Sequence, residues 1–127
     1  MLNHINIIGR LVKVPELRRT QSGTPVVSFT LAVERDYKDS NGERATDFVS
    51  CVAWRGAAEF VANYGAKGRL MAAGGHLQSR KYTDKAGNTC TAWEIQAENV
   101  YFLDSVKKEQ DSGQDFREID DDGELPF

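Results

Sequence analysis

Residues 46–54 read TDFVSCVAW, a run without glycine or proline in which alternate side chains differ sharply in size. Successive side chains of a β-strand point to opposite faces. Two sets result: Phe48, Ser50, Val52 and Trp54 on one face, and Val49, Cys51, Ala53 and Arg55 on the other. Val49, Cys51 and Ala53 are small enough for the crowded interior of a small barrel. The first set then carries a large aromatic at each end, roughly 20 Å apart at the usual rise per residue.

Further strands are predicted on both sides of this stretch. Alternating or apolar runs predict strands over residues 5–14, 27–33, 46–54, 70–82 and 89–103. Gly9 predicts a bulge or bend in the first of them, and Gly74-Gly75 a sharp bend in the fourth. The segment 16–25 is polar and contains Gly23 and Pro25, which favours a loop. Turn signals at 39–42 and 84–88 separate the remaining strands.

A short helix is predicted over residues 56–64, between the third and fourth strands. Ala57, Phe60, Val61 and Tyr64 have the spacing of one helix face, and Gly65 is placed to end the helix as a C′ glycine. Three strands, a short helix and two strands predict an all-β fold, a five-stranded Greek-key barrel of the OB type. A β-sandwich is the structural alternative, but five strands and a lone helix fit it less well.

Charge divides the chain into two parts. Residues 1–103 contain 13 basic and 10 acidic side chains, whereas residues 104–127 contain 3 and 9. The body is therefore mildly basic and can attract phosphates, which the acidic end cannot. The acidic end has few apolar residues to pack, so we predict an OB domain over 1–104 and a disordered acidic C-terminal tail over 105–127.

Several functional classes are disfavoured by composition. Cys51 and Cys90 lie far apart without CxxC spacing, and with only His4 and His76 they do not make a convincing zinc site. We therefore expect reduced, buried cysteines and neither a metal nor a cofactor. Neither a signal peptide nor an apolar run of the ~20 residues needed to cross a membrane is recognised, which points to the cytoplasm without membrane association.

Aromatic side chains beside basic ones form the candidate binding residues. Phe48 and Trp54 lie on the predicted outer face, Tyr37 and Tyr82 lie among charged neighbours, and such rings can stack unpaired bases while cations hold the phosphates. Strand aromatics are also common in cores and subunit interfaces, so both readings remain open. Trp93 shares its face with Ile95 and Ala97 and is assigned to the core. The basic candidates for phosphate contact are Arg10, Lys13, Arg18, Arg19, Lys38, Arg55, Arg80, Lys81 and Lys85.

The C-terminal tip is a second candidate site. Residues 119–127 read IDDDGELPF, so acidic residues directly precede an apolar end. A partner with an apolar pocket rimmed by Arg or Lys can grip both features. A tail that only aids solubility is the alternative, but it has no need of Leu-Pro-Phe. The predicted partner-binding residues are Asp120, Asp121, Asp122, Glu124, Leu125, Pro126 and Phe127.

These stretches together resemble the bacterial and phage single-stranded DNA-binding proteins (SSB) along nearly the whole chain. The resemblance rests on segments in a fixed order: 6–11 (NIIGRL), 15–18 (PELR), 29–33 (FTLAV), 46–48 (TDF), 54–55 (WR), 58–59 (AE), 80–84 (RKYTD) and the acidic tip. It implies an OB fold, a homotetramer and binding of single-stranded DNA without sequence preference. It also implies docking of replication, recombination and repair proteins on the tip.

The resemblance assigns base stacking to Tyr37, Phe48, Trp54 and Tyr82. Members often have Trp where this chain has Tyr37, Phe48 and Tyr82, which implies weaker stacking and a fluorescence signal carried largely by Trp54. The tail lacks the long Gly/Pro/Gln-rich linker of many members, and Gly123-Glu124 interrupts the usual tip, which affects the tightness of docking.

The predicted mechanism makes and breaks no bond. The sequence contains no recognisable nucleophile–base pair and no partnered carboxylates, so we predict no enzymatic activity. A primosome- or phage-type protein–protein adaptor is the alternative from another class, with the barrel used mainly for oligomerisation. An RNA-binding OB module is a weaker third reading.

Overall fold

The fold is that of a computed structural model, which describes residues 1–104. The predicted tail over 105–127, including the tip 120–127, lies outside the described residues. The elements in chain order are β1 (Ile5–Leu11), β2 (Glu16–Arg19), β3 (Pro25–Glu34), β4 (Thr46–Trp54), α1 (Arg55–Tyr64), β5 (Leu70–Thr83) and β6 (Thr89–Phe102). Helix α1 has 10 residues, and within residues 1–104 there is no helix long and apolar enough to cross a membrane.

Five of the strands close into a barrel. The order β1-β5-β6-β4-β3 returns to its start because β1 also pairs with β3. All of these pairings are antiparallel except β4 with β6, where Cys51 lies opposite Ile95. The predicted OB barrel with one helix between its third and fourth barrel strands is thereby confirmed.

The barrel interior is filled by one face of each strand. Leu11, Leu31 and Val49 form one cross-strand row, in which Leu11 and Leu31 are fully buried, and Cys51 and Ala53 continue the same face of β4. Helix α1 adds Ala58 and Val61 to this core. The prediction that Cys51 and Ala53 point inward is therefore confirmed. Phe48 and Trp54, for which the sequence leaves core and outer positions open, lie on the outer face.

Two local predictions were wrong. The segment 16–25 was predicted as a loop, yet Glu16–Arg19 pairs with β3 as β2, outside the closed ring. Gly9 was predicted to mark a bulge or bend, and a bulge is excluded because the β1–β5 register runs through it without interruption. Gly9 is required there because a Cβ would lie 2.6 Å from the Ala32 carbonyl oxygen.

The helix also differs in detail from its prediction. Phe60 and Tyr64 were placed on the buried face, but both are partly exposed, and Ala58 is buried instead of Ala57. Gly65 ends the helix with a φ of −77°, not in the left-handed region. Its role is close approach, because a Cβ would lie 2.5 Å from the Val61 carbonyl oxygen and 2.8 Å from Pro15 Cγ.

A hairpin arm extends beyond the barrel. β1 pairs with β5 only up to Gly75, and β4 pairs with β6 only from Ile95 onward, so residues 78–94 pair only with each other. We call residues 78–94 the β5–β6 arm. The register shifts between Gly74 and Gly75, which confirms the predicted bend at the base of the arm.

The end of the domain is fixed by a salt bridge. The Arg69 Nε lies 3.1 Å from Asp104 Oδ1, and Arg69 Nη1 donates to the Tyr64 carbonyl at 2.6 Å. The same guanidinium lies 4.1 Å from the centre of the Phe102 ring. The Leu70 N–H donates to Asp104 Oδ2, and this bond, with that from Arg69, lowers the pKa of the Asp104 carboxyl. Asp104 therefore belongs to the folded domain.

Replacing Asp104 with Asn is expected to remove part of the acid sensitivity of folding. A carboxyl whose pKa is lowered by folding stabilises the protein above its unfolded value, here 3.8, and that contribution is lost as pH falls through the folded value. The thermal midpoint should therefore fall less for D104N than for the wild type between pH 5 and 2. Parallel curves for the two proteins would show that the Asp104 charge contributes nothing.

Candidate nucleic-acid interface

The outer face of the barrel carries two rows that end in an aromatic side chain. Cross-strand register places Arg10, Ala32 and Phe48 in one row across β1, β3 and β4. It places Arg18, Val26 and Trp54 in another row across β2, β3 and β4. Each outward aromatic of β4 therefore has an arginine two strands away, about 10 Å at the usual strand spacing.

Phe48 is the more exposed of the two aromatics. Its relative exposure is 68%, so most of the side chain is open to solvent. Arg10, in the same row, donates from Nη1 to the Gly68 carbonyl at 3.0 Å. That hydrogen bond holds one end of the guanidinium, and the side chain remains exposed to solvent.

Trp54 has a defined orientation. Its relative exposure is 41%, and its Nε1 donates to Gln96 Oε1 at 2.9 Å. Gln96 lies on the outward side of β6, opposite Val52. Trp54 and Gln96 border a surface cavity of about 360 Å³ together with His76, Gln78 and Glu98. A ring that is held by its indole N–H and keeps part of its surface open to solvent is suited to serve as a stacking platform.

A backbone feature separates Trp54 from the helix. Arg55 has a φ of +55°, the one positive value among the described residues other than glycine. A side-chain-bearing residue in this region costs roughly 1–3 kcal/mol, which the surrounding fold must offset. This conformation turns the chain from β4 into α1 directly after the Trp54 platform and leaves the Arg55 side chain in solvent.

A basic groove lies between the start of β2 and the arm. Lys13, Arg18 and Arg80 line a cavity of about 400 Å³ whose floor includes Ser28, Thr30 and Ser50 of β3 and β4. Glu16 and Glu94 also border it, and Glu94 Oε2 lies 3.2 Å from Arg80 Nε. The structure thus brings together three of the predicted phosphate-binding residues from distant parts of the sequence.

Tyr82 shares the outward face of the arm with Arg80. The Arg80 guanidinium carbon lies 5.7 Å from the centre of the Tyr82 ring, within cation–π range. Tyr82 is 44% exposed and lies opposite Cys90.

The loop at the tip of the arm is closed by Asp84, which accepts hydrogen bonds from the Ala86 and Asn88 N–H groups. The pKa of Asp84 is lowered, mainly by the bond from Asn88.

Tyr37 lies apart from this groove. It follows β3 and borders a different cavity, of about 860 Å³, which also contains Ile8 and Tyr101. Arg35 holds the region in place, since it binds both carboxylate oxygens of Asp47 at 2.9 and 3.0 Å and donates to the Tyr37 hydroxyl at 3.1 Å. The bonds from Arg35 lower the pKa of Asp47. Tyr37 is 63% exposed, so its ring is available from solvent.

The other predicted basic residues are spread over several elements. Arg19 donates to the Gly23 carbonyl in the β2–β3 turn at 3.1 Å, and Lys38 lies in the connection between β3 and β4. Lys85 is in the loop of the arm, and Lys81 belongs to the face of the arm opposite Arg80. These four residues do not line the groove.

The assignment of Trp93 to the core was wrong. Trp93 does share a face with Ile95 and Ala97, which are buried, but its own exposure is 61%. The reason is its position in the arm, where neither β1 nor β4 is present to cover that face. The chain has two tryptophans, so the expectation that fluorescence is carried largely by Trp54 loses its basis.

Sequence reasoning missed Gln96 and Arg35, which orient Trp54 and Tyr37. The outward position of Gln96 can be predicted from its alternation with Ile95 and Ala97, but its contact with Trp54 depends on the parallel pairing of β4 and β6.

Both cysteines are free, and Cys51 is buried whereas Cys90 is partly buried. Burial raises the pKa of the Cys51 thiol to about 12, which makes it unreactive.

Comparison with known proteins identifies the family. The model of the single-strand binding protein family matches residues 2–103. The chain is 48% identical over 104 residues to single-stranded DNA-binding protein A of Bacillus subtilis (strain 168), an alignment covering 82% of this chain and 60% of that protein. It is 42% identical over 113 residues to the single-stranded DNA-binding protein of Enterococcus faecalis, covering 89% and 60%.

A shorter relative is covered more completely. Single-stranded DNA-binding protein 3 of Streptococcus agalactiae serotype V is 41% identical over 114 residues, which are 90% of this chain and 83% of that protein. The alignments with the Bacillus and Enterococcus proteins span about 60% of their lengths. Because the family model covers nearly all of the described residues, the chain belongs to the single-strand binding protein family.

Proposed function

We propose that this protein binds single-stranded DNA without sequence preference and keeps it from re-pairing and from nucleases. The observation that carries the proposal is the outer face of β4, where exposed Phe48 and Trp54 each share a cross-strand row with an arginine. Rings accept any base because every base has a π-face, and the arginines supply the charge that phosphates need. Membership of the family and the names of the relatives support the same activity.

The proposed mechanism is electrostatic capture followed by stacking. Lys13, Arg18 and Arg80 in the groove attract the backbone and release its counterions. Bases then stack on Phe48, Trp54 and Tyr82, each contact being worth about 1–3 kcal/mol, a magnitude known from this class of protein. Tyr37 stacks a base where the bound single-stranded DNA continues past the end of β3. The remaining proposed phosphate contacts are Arg10, Arg19, Lys38, Arg55, Lys81 and Lys85.

The domain division and the tail belong to the same proposal. Residues 1–104 form the DNA-binding unit, and the acidic tip at 120–127 recruits replication, recombination and repair proteins. The anchoring of Asp104 by Arg69 supports the boundary, and the charge and apolar end of the tip support the recruitment. By family resemblance we also propose a homotetramer that acts in the cytoplasm, on the nucleoid.

Titration of the full chain with poly(dT) at several salt concentrations tests the proposal. Tryptophan emission should be quenched on binding, and the logarithm of the affinity should fall linearly with the logarithm of salt concentration, by about 0.7 for each phosphate contacted. A chain lacking residues 120–127 should retain this binding, because the proposed groove lies within residues 1–104.

Two results would favour one of the alternative functions, a protein–protein adaptor or an RNA-binding module. Absence of poly(dT) binding at low salt, with a folded and oligomeric protein, would favour an adaptor. Stronger binding to poly(rU) than to poly(dT) would favour an RNA-binding module, since recognition of the 2′-OH distinguishes the two polymers.

A further inference from the structure

The β5–β6 arm has a second face that the proposed groove does not use. Ser79 and Lys81 of β5 lie on this face with Thr91 and Trp93 of β6, and Leu77 continues the face at the base of the arm. We call these five residues the reverse face of the arm. Trp93 is 61% exposed there, although a large apolar ring has most to gain from burial.

The reverse face repeats the chemistry of the outward face. On the outward side, Tyr82 is accompanied by Arg80, whose guanidinium carbon lies 5.7 Å from the ring centre. On the reverse side, Trp93 lies opposite Ser79, which makes Lys81 its diagonal cross-strand neighbour. Diagonal neighbours in an antiparallel pair are about 7–8 Å apart, within the reach of a lysine and an indole.

The charge of the reverse face fits a polyanion. Its five residues include one cation and no carboxylate. The nearest acids of the arm are engaged elsewhere: Glu94 points to the outward side and pairs with Arg80, and Asp84 accepts the N–H groups of its own loop. Lys81 has no ion-pair partner among the described residues, so its charge is available to a phosphate.

We propose that Trp93 is a further base-stacking residue and that Lys81 binds the adjoining phosphate, so that single-stranded DNA passes around the arm and contacts both of its faces. The inference rests on the proposed function and extends its site. Beyond the barrel the arm is only two strands wide, with its outer edges unpaired. Tyr82 lies opposite Cys90, which is three residues from Trp93 along β6, so the two rings are offset by about 10 Å. Single-stranded DNA that crosses the edge of the arm can span this distance.

Two single-tryptophan variants make the test direct. W54F leaves Trp93 as the only tryptophan, and W93F leaves Trp54. Each is titrated with poly(dT) while binding is measured separately by the anisotropy of a labelled dT oligomer. The emission of Trp93 in W54F should be quenched at saturation, as that of Trp54 is in W93F.

Affinity measurements complete the experiment. W93A should weaken poly(dT) binding about 5- to 150-fold, and W93F should restore most of the loss because Phe still offers a ring. The matched control is Tyr64→Ala, which removes an exposed aromatic side chain of α1, outside both faces of the arm, and should leave affinity unchanged. The sedimentation mass of W93A should equal that of the wild type.

Three results would overturn the proposal. One is unquenched Trp93 emission in a W54F protein that binds the labelled oligomer, and another is an unchanged affinity of W93A. A third is a change of mass in W93A without quenching of Trp93, which would place the residue at a contact between copies of the chain. Failure of the wild type to bind the oligomer at all would reject the proposed function itself.

Discussion

Replacing Trp54 with alanine is expected to weaken poly(dT) binding by about 1–3 kcal/mol, or roughly 5- to 150-fold, with little change in thermal stability. The two effects separate because the ring lies on the outer face of β4 and is 41% exposed. Truncating a fully buried aromatic would instead cost about 3–5 kcal/mol of folding free energy. Fluorescence anisotropy of a labelled dT oligomer and thermal unfolding followed by circular dichroism measure the two quantities.

Matched variants show whether the ring itself is responsible. Trp54→Phe keeps an aromatic surface and should recover most of the affinity. Gln96→Ala removes the acceptor of the Trp54 Nε1 hydrogen bond, so it should produce a smaller loss by freeing the orientation of the ring. Tyr64→Ala removes another exposed aromatic side chain, from helix α1 and away from the groove, and should leave affinity unchanged. A W54A protein that unfolds several degrees lower and loses no affinity would show that Trp54 is structural.

The sequence contains enough information for the barrel because its alternation is local. The strand at 46–54 was predicted with the bounds that the structure has, and the inward positions of Cys51 and Ala53 followed from the same alternation. Strand β2 escaped prediction because Glu16–Arg19 contains one apolar residue and is exposed throughout. Its strand conformation comes from pairing with β3, which residues 16–19 do not themselves specify.

Trp93 shows where alternation stops being sufficient. Its face was predicted correctly, but burial of that face depends on how far the neighbouring strands extend. The residues at which β1 and β4 stop pairing with the arm strands, Ile5 and Cys51, lie more than 40 residues before Trp93 in the sequence, so no local pattern near Trp93 contains this information. The same holds for the rows joining Arg10 to Phe48 and Arg18 to Trp54, since three strands must be in register before either row exists.

The kinds of residue in the candidate site could be predicted from the sequence, but which of them lie close together in space could not. Aromatic residues near basic ones could be selected from the sequence, and Phe48, Trp54, Tyr82 and Tyr37 are all exposed in the structure. What the sequence did not contain is that Tyr37 borders a separate cavity, whereas Lys13, Arg18 and Arg80 converge on one groove.

Gly75→Ala is expected to destabilise the fold by about 3 kcal/mol and lower the thermal midpoint by roughly 10–20 °C. A Cβ at Gly75 would overlap the Gln96 carbonyl oxygen and lie 2.9 Å from the Gln96 carbonyl carbon and 3.1 Å from the Glu98 nitrogen. All three are backbone atoms of β6 at the register shift. They can move away only if the β5–β6 hydrogen bonds at the base of the arm are broken. A side chain at Gly75 therefore cannot be accommodated without a large cost in folding free energy.

Gly56→Ala is the matched control for this prediction. Gly56 lies in the first turn of α1, and a Cβ there would meet no atom within 4 Å. Alanine should therefore keep or raise stability by about 0.5–1 kcal/mol, because it restricts the unfolded chain and favours the helix. If G75A unfolded at the wild-type temperature, close packing at the bulge would not be what requires glycine. If G75A is destabilised as expected, it should also bind poly(dT) more weakly than the wild type at temperatures where both proteins are folded. The reason is that the bulge sets the direction of the arm, and the arm presents Arg80 and Tyr82 to the groove.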